Sequence, residues 1–210
     1  MSKIKYIFRD FWGTVAKINI KKDGYFAKLI KMYDIPKDSL KKNLSLSMDK
    51  FRRGEISEKD HRKIFSQNVG LPIHKNISSL FHTPLNKYTT LYKSIIAFVK
   101  KLQKAGYICV ILSDEWVPQS NQLRKAGWYN GFDDILLSCE IGLSKHDDKT
   151  NGTTKIFDYV LKRYKIKSGE AIFIDDVEKN CIVAQKLGIK TIFATKPTQV
   201  IKDLKKILNI

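Results

Sequence analysis

The chain has 210 residues, of which 43% are hydrophobic and 29% charged, and its formal net charge is +18. This balance excludes a disordered or low-complexity chain and allows one large domain or one domain with an insertion. No apolar run approaches the roughly 18 residues of a membrane-spanning helix, and the first residues lack the apolar segment of a signal peptide. We therefore expect no membrane partner and a cytoplasmic location.

Five short apolar segments, each bounded by turn or charge signals, are typical of buried parallel strands. They are Tyr6–Phe8, Ile108–Leu112, Ile135–Leu137, Ala171–Ile174 and Thr191–Ala194. Helical patterns follow these segments or lie between them, at Leu91–Lys104, Pro118–Lys125, Ile156–Tyr164, Glu178–Leu187 and Thr198–Leu208. This alternation predicts an α/β fold, a doubly wound parallel Rossmann-like sheet with helices on both faces.

The segment between the first and second of these strands breaks the alternation. Amphipathic helices are predicted there over Asp23–Met32, Asp38–Arg52 and Glu58–Gln67, with Ser57 as the N-cap of the third. The segment is too long for a single crossover and contains no strong strand. We therefore expect an inserted α-helical cap over residues 16–90 and a catalytic core made of residues 1–15 and 91–210.

Side chains capable of chemistry follow four of the predicted strands. Asp10 follows the first strand, Ser113-Asp114-Glu115 the second and Asp175-Asp176 the fourth, while Lys145 lies in the loop after the third. Ligands bind beyond the carboxyl ends of the strands in such sheets. We therefore expect these side chains to converge at one edge of the sheet.

In order and spacing these residues resemble the four motifs of the haloacid dehalogenase superfamily, and the insertion resembles the helical, C1-type cap of one of its branches. The first motif, Asp-x-Asp-Gly-Thr, is matched by Asp10-Phe11-Trp12-Gly13-Thr14. The second and third are matched by Ser113 and Lys145, and the fourth, an acidic pair followed by Asn, by Asp175-Asp176 and Asn180.

The resemblance implies an Mg²⁺-dependent hydrolase whose substrate is a small phosphorylated metabolite. Asp10 would be the nucleophile and form an aspartyl-phosphate, while Ser113 and Lys145 would hold the oxygens of the transferring group. Asp114 and Thr14 complete the expected substrate-binding residues. The expected Mg²⁺ ligands are Asp10, Asp175, Asp176 and the main-chain carbonyl of Trp12.

Trp12 departs from the family pattern, because the family's general acid at this position is an aspartate. Tryptophan cannot donate a proton to a leaving group, and general acid–base catalysis typically contributes roughly 10²–10⁴-fold. Dehalogenases of the superfamily carry an aromatic residue here, usually Tyr, but they work without metal and generally lack the acidic pair. Asp114 or Glu115 could substitute as proton donor. Arg9 departs as well, since the residue before the nucleophile is usually apolar.

Two alternatives therefore remain beside the phosphatase: a hydrolase resembling the 2-haloacid dehalogenases, and a catalytically degenerate member that serves as a binding or regulatory domain. The loop His146–Thr154 is longer than is usual in the family and could be a lid or only a long loop. The positive charge is nearly all lysine spread from Lys3 to Lys206, which indicates compositional bias. We expect no nucleic-acid partner, although the basic field would attract phosphorylated substrates. The oligomeric state is not predicted.

Overall fold

A computed structural model describes residues 3–18, 36–70 and 89–210. Strands β1 (Tyr6–Arg9), β4 (Ile108–Ser113), β5 (Asp134–Leu137), β6 (Ala171–Asp175) and β7 (Lys190–Phe193) form one sheet. Its order is β5-β4-β1-β6-β7, and every neighbouring pair is parallel. The predicted α/β sheet is confirmed, and each of its five strands lies within one residue of the predicted bounds.

Helices cover both faces of this sheet. One face packs Ile7, Ile111 and Ile174 against α3 (Lys93–Lys104), α4 (Val117–Lys125) and α9 (Pro197–Leu208). The other packs Phe8 and Phe173 against α7 (Lys155–Tyr164) and α8 (Glu178–Gln185). Alternate side chains of a strand point to opposite faces, so neighbouring residues of β1 enter two separate apolar layers.

Within the predicted cap, the described part contains α1 (Lys37–Arg52) and α2 (Glu58–Val69). Ser57 caps α2 as expected, because its hydroxyl accepts the N–H of Asp60 at 3.1 Å. The predicted helix Asp23–Met32 lies outside the described residues, and the domain division at residues 16 and 90 stays a prediction. None of the described helices is long and apolar enough to cross a membrane.

Four short elements were not predicted. Strands β2 (Ala16–Ile18) and β3 (Thr89–Leu91) pair antiparallel where the chain leaves and rejoins the core. The helices α5 (Ser138–Ile141) and α6 (Lys145–Asn151) lie between β5 and α7. Each is too short to show a period in the sequence. Cys109 and Cys181 are buried and Cys139 is half-buried, all as free thiols.

Candidate active site

The turn that ends β1 holds Asp10 in a buried position. The side chain of Asp10 follows the strand directly and is 8% exposed, and its N–H donates to the carbonyl of Ile174 at 2.8 Å. The hydroxyl of Thr14 donates to the Asp10 carbonyl and so closes the turn. Gly13 has a φ of +71°, and a Cβ there would lie 2.0 Å from Oδ2 of Asp176. The turn and the acidic pair after β6 therefore require glycine at this position.

Lys145 links two of the strand ends. Its Nζ lies 2.9 Å from Asp10 and 2.7 Å from Asp175, and the side chain is 2% exposed. Burial by itself lowers the pKa of Lys145, but the charges of Asp10, Asp175 and Asp114 outweigh burial and raise that pKa above its ordinary value. A buried ammonium group is thus held between two carboxylates and stays charged.

Asp114 positions the helix that carries Lys145. Its two carboxylate oxygens accept the backbone N–H groups of Lys145 at 2.9 Å and His146 at 3.0 Å, at the first turn of α6. Ser144 caps the same helix end, since its hydroxyl accepts from His146 at 3.0 Å. The structure places Asp114 and Thr14 in contacts with backbone, and the substrate contacts predicted for both stay predictions.

Three carboxylates converge at this edge of the sheet. Asp10, Asp175 and Asp176 each offer an oxygen, and these oxygens all lie within 4.8 Å of one another. Burial and the charge of Asp175 raise the pKa of Asp10 to about 7, although Lys145 and the hydroxyl of Ser113 oppose the rise. Burial, followed by the charge of Asp175, also raises the pKa of Asp176.

The carboxylate of Asp175 is already occupied within the protein. Its Oδ1 accepts the N–H of Val177 at 2.8 Å, and its Oδ2 accepts from Lys145 and from the side-chain amide of Asn180 at 3.0 Å. Asp10 and exposed Asp176 therefore have the oxygens best placed for a cation. All-oxygen ligands suit Mg²⁺, and a divalent cation would relieve the repulsion that raises the two pKa values. The donor set fits the predicted metal.

Ser113 ends β4 beside Asp10, the predicted nucleophile. Its side chain is fully buried, and its hydroxyl lowers the pKa of Asp10 by stabilising the ionised form. The predicted catalytic residues Asp10, Ser113 and Lys145 are thus brought together from the ends of β1 and β4 and the start of α6. The central strands β4, β1 and β6 are adjacent in the sheet, which is why their ends meet.

Trp12 and Glu115 form a contact that spacing in the sequence does not reveal. The indole N–H of Trp12 donates to Oε1 of Glu115 at 2.5 Å, and Glu115 is fully buried. Burial and then the charge of Asp10 raise the pKa of Glu115 well above its ordinary value. The backbone of Glu115 is fixed by the hydroxyl of Ser138, which accepts its N–H at 2.9 Å and donates to its carbonyl at 3.0 Å.

The C-terminal end of α1 contacts the core beside this site. Arg53 donates to Asp147 of α6 at 2.5 Å, and Asp49 lies 3.4 Å from Nε2 of His146. The hydroxyl oxygen of Ser138 also lies 2.8 Å from the carbonyl of Arg52, so its one proton is shared between this carbonyl and that of Glu115. Sequence reasoning missed these contacts, because nothing in the residue types pairs the insertion with the loop after β5.

The family model of haloacid dehalogenase-like hydrolases matches residues 7–194. Acyl-CoA dehydrogenase family member 10 of Mus musculus is 38% identical over 166 residues, 76% of this chain but 15% of the mouse protein. A sesquiterpene phosphatase of Aspergillus oryzae is 24% identical over 171 residues, covering 79% of this chain and 81% of the fungal protein. The chain therefore spans only a small part of the mouse relative.

Solved structures share the fold at low identity. A haloacid dehalogenase family enzyme of Bacteroides thetaiotaomicron, in complex with magnesium and inorganic phosphate, gives a TM-score of 0.70 at 22% identity and covers 92% of this chain and 96% of its own. An L-2-haloacid dehalogenase gives a TM-score of 0.60 at 14% identity, and the match covers 100% of both chains. With the family match over nearly the whole core and the motif residues assembled at one sheet edge, this chain belongs to the haloacid dehalogenase-like hydrolases.

Proposed function

We propose that the chain is an Mg²⁺-dependent phosphatase that uses Asp10 as its nucleophile on a small phosphorylated molecule. The observation that carries this proposal is the cluster in which Lys145 lies between Asp10 and Asp175 while Asp176 approaches from the exposed side. A carboxylate that attacks an anionic phosphate ester needs positive charge around the phosphoryl oxygens. The cluster supplies one buried cation and the ligands for a second.

The residues have distinct parts in the proposed reaction. Asp10 attacks phosphorus, the bond to the ester oxygen breaks, and that oxygen leaves with the bonding electron pair as a phenolate or carboxylate, which takes its proton from water afterwards if at all. Lys145 and Ser113 would hold the equatorial oxygens during the transfer. Mg²⁺ bound between Asp10 and Asp176 would neutralise negative charge on the phosphoryl group. Water then hydrolyses the aspartyl-phosphate and restores Asp10, with inorganic phosphate as the second product.

The proposed cap over residues 16–90 supports a small substrate. Arg53 and Asp49 of this segment contact α6 of the core, so the site lies beside an interface between two parts of the chain. Small-molecule sites occur preferentially at such interfaces. The sesquiterpene phosphatase and the magnesium–phosphate complex among the relatives point to the same class of reaction. We also propose a cytoplasmic location and no partner of nucleic acid or membrane.

Dehalogenase-like chemistry is the second candidate, and Trp12 is the observation that favours it. The indole is tied to Glu115 and offers no acid to a leaving oxygen, whereas a halide leaves without a proton. Against it stands the acidic pair Asp175-Asp176, which a carbon-directed reaction does not need.

A panel of phosphate esters, acyl phosphates and 2-haloacids, each with and without Mg²⁺, tests these readings. We expect release of phosphate from activated phosphate compounds, dependent on Mg²⁺ and abolished in Asp10→Asn. Halide release without metal would establish the dehalogenase instead. A complete lack of turnover, with Mg²⁺ still bound, would favour the degenerate binding or regulatory member.

A further inference from the structure

The indole of Trp12 is fixed beside the nucleophile by a residue from another strand. Trp12 lies in the turn after Asp10, and its N–H donates to Glu115 from the end of β4. Trp12 follows Asp10 by two residues and Glu115 follows Ser113 by two, so the pair lies beside the reacting carboxylate. Both backbone groups of Glu115 are held by Ser138. The backbone that carries the acceptor is therefore held in place, and the carboxylate itself is fully buried.

Exposed apolar side chains follow the two strands that flank β1 in the sheet. Among the described residues only five large hydrophobic side chains are exposed, and two of them follow the catalytic strand ends: Val117 at 45% and Val177 at 37%. Trp12 is half-buried. The strands β4, β1 and β6 are neighbours in the sheet. Each of the three side chains follows a site residue at the end of one of these strands by at most four positions: Val117 follows Ser113, Trp12 follows Asp10, and Val177 follows Asp176.

We propose that Trp12, Val117 and Val177 form an apolar contact surface for the organic group of the substrate, and that Glu115 is the positioning residue that fixes Trp12 in it. The inference rests on the proposed phosphatase function and names its substrate class: phosphate compounds whose organic group is an aryl or alkyl chain. Polyol phosphates fit poorly, because their hydroxyls would lose water without finding partners on such a surface.

Binding of alkylphosphonates measures the surface without any chemistry, because a phosphonate has no ester bond to break. Calorimetric titration with ethyl-, butyl- and hexylphosphonate in the presence of Mg²⁺ should show tighter binding with each added methylene, by up to about fourfold. Val117→Thr and Val177→Thr keep the side-chain shape but replace one methyl group by a hydroxyl, and they should flatten this dependence. Ile210→Thr, at an apolar residue that is 55% exposed and distant in sequence from the site residues, should leave it unchanged.

Two substitutions at Glu115 separate positioning from proton donation. The amide oxygen of Glu115→Gln can still accept the indole N–H, so that variant should keep both the chain-length dependence and the turnover of aryl phosphates. Glu115→Leu cannot accept it and should lose the dependence. Thermal unfolding of both variants shows that they fold. If the leucine variant does not fold, Trp12→Phe removes the N–H and should weaken the dependence in the same way.

Equal affinity of the wild type for all three phosphonates would overturn the apolar surface. A glutamine variant that fails like the leucine variant, with a loss that grows as the leaving group becomes more basic, would show that Glu115 is a proton donor and overturn the positioning role. Absence of turnover on every phosphate compound, with length-dependent binding retained, would defeat the proposed function and leave the apolar surface standing.

Discussion

Asp10 and Asp176 carry carboxylates that repel each other and Asp175 across the same small space. A cation held between them relieves this repulsion. We predict that Mg²⁺ binds the wild type and that Asp176→Ala weakens binding at least tenfold, since one of two available carboxylates is lost. Calorimetric titration measures both. Equal affinity in the two proteins would show that the metal is held elsewhere.

The same titration should depend on pH. Burial raises the pKa of Asp10 to about 7, so below that pH its proton must be displaced before a cation binds. Affinity for Mg²⁺ should therefore fall as pH is lowered through about 7, by about tenfold between pH 8 and pH 6 if one proton is displaced. Asp10→Asn should remove this dependence. A wild-type affinity that does not change over this range would contradict the assignment of Asp10 as ligand.

Trp12 allows a prediction about leaving groups. The carboxylate of an acyl phosphate and the phenolate of an aryl phosphate with an acidic phenol leave without a proton, whereas the alkoxide of a sugar phosphate needs one. We expect a steep dependence of rate on leaving-group pKa in the wild type. Trp12→Asp should raise the rate on alkyl phosphates by up to roughly 10²-fold and should change the rate on activated substrates little. Parallel lines for the two proteins, when log rate is plotted against leaving-group pKa, would place the proton donor at another residue.

Arg9 carries a buried positive charge with few compensating partners. It is 1% exposed, and its Nε and Nη2 atoms have no hydrogen-bond partner among the described residues. Burial lowers its pKa to about 10. Replacing a poorly compensated buried charge by an apolar side chain of similar length often stabilises a protein by about 1–4 kcal/mol. Arg9→Met should raise the free energy of unfolding, measured in urea, and exposed Arg124→Met should not. A destabilised Arg9→Met protein would show that the guanidinium has partners.

At the scale of elements, α6 connects Lys145, which we propose to be catalytic, with the proposed cap. Lys145 is its first residue, Asp114 caps it from the core, and Arg53 of the insertion binds Asp147 within it. A displacement of about 1 Å in a catalytic group can lower rates by up to about 10²-fold. We predict that Arg53→Ala and Asp147→Asn each lower kcat several-fold, by up to about tenfold, and that the double variant is no worse than either one.

The control for this prediction is the ion pair of Arg124 with Glu140, which joins α4 to α5 at 2.7 Å. Arg124→Ala should leave kcat unchanged. Additive losses in the Arg53 and Asp147 variants would mean that the two side chains act independently, and α6 would then not be positioned by the insertion.

The same helix shows where prediction from the sequence ends. The core strands could be predicted because each is a short apolar run with a chemically distinct end, and Asp10, Ser113, Lys145 and the acidic pair could be placed from those ends. Residues 145–151 show no apolar period and were expected to be a loop. They form a helix because Asp114, distant in sequence, accepts their first N–H groups. The contact of Trp12 with Glu115 depends likewise on two strands being adjacent.

For the whole molecule, the net charge of +18 bears on partners. If the lysines reflect composition, binding to DNA or RNA should be weak, independent of sequence and lost between about 50 and 200 mM salt. Fluorescence anisotropy with random and structured oligonucleotides at several salt concentrations measures this. Tight binding above 200 mM salt, with preference for one sequence or structure, would reveal a nucleic-acid site.

The order of the sheet has a consequence for synthesis. The first core strand that the ribosome makes, β1, is the central one, and its two neighbours, β4 and β6, follow only after about 100 and 165 further residues. Until then Ile7 and Phe8 have neither of the apolar layers that bury them, and both edges of the strand are open. The nascent chain must keep this segment from pairing with other chains, so its yield of native protein should depend on chaperones and on the speed of elongation more than its final stability suggests.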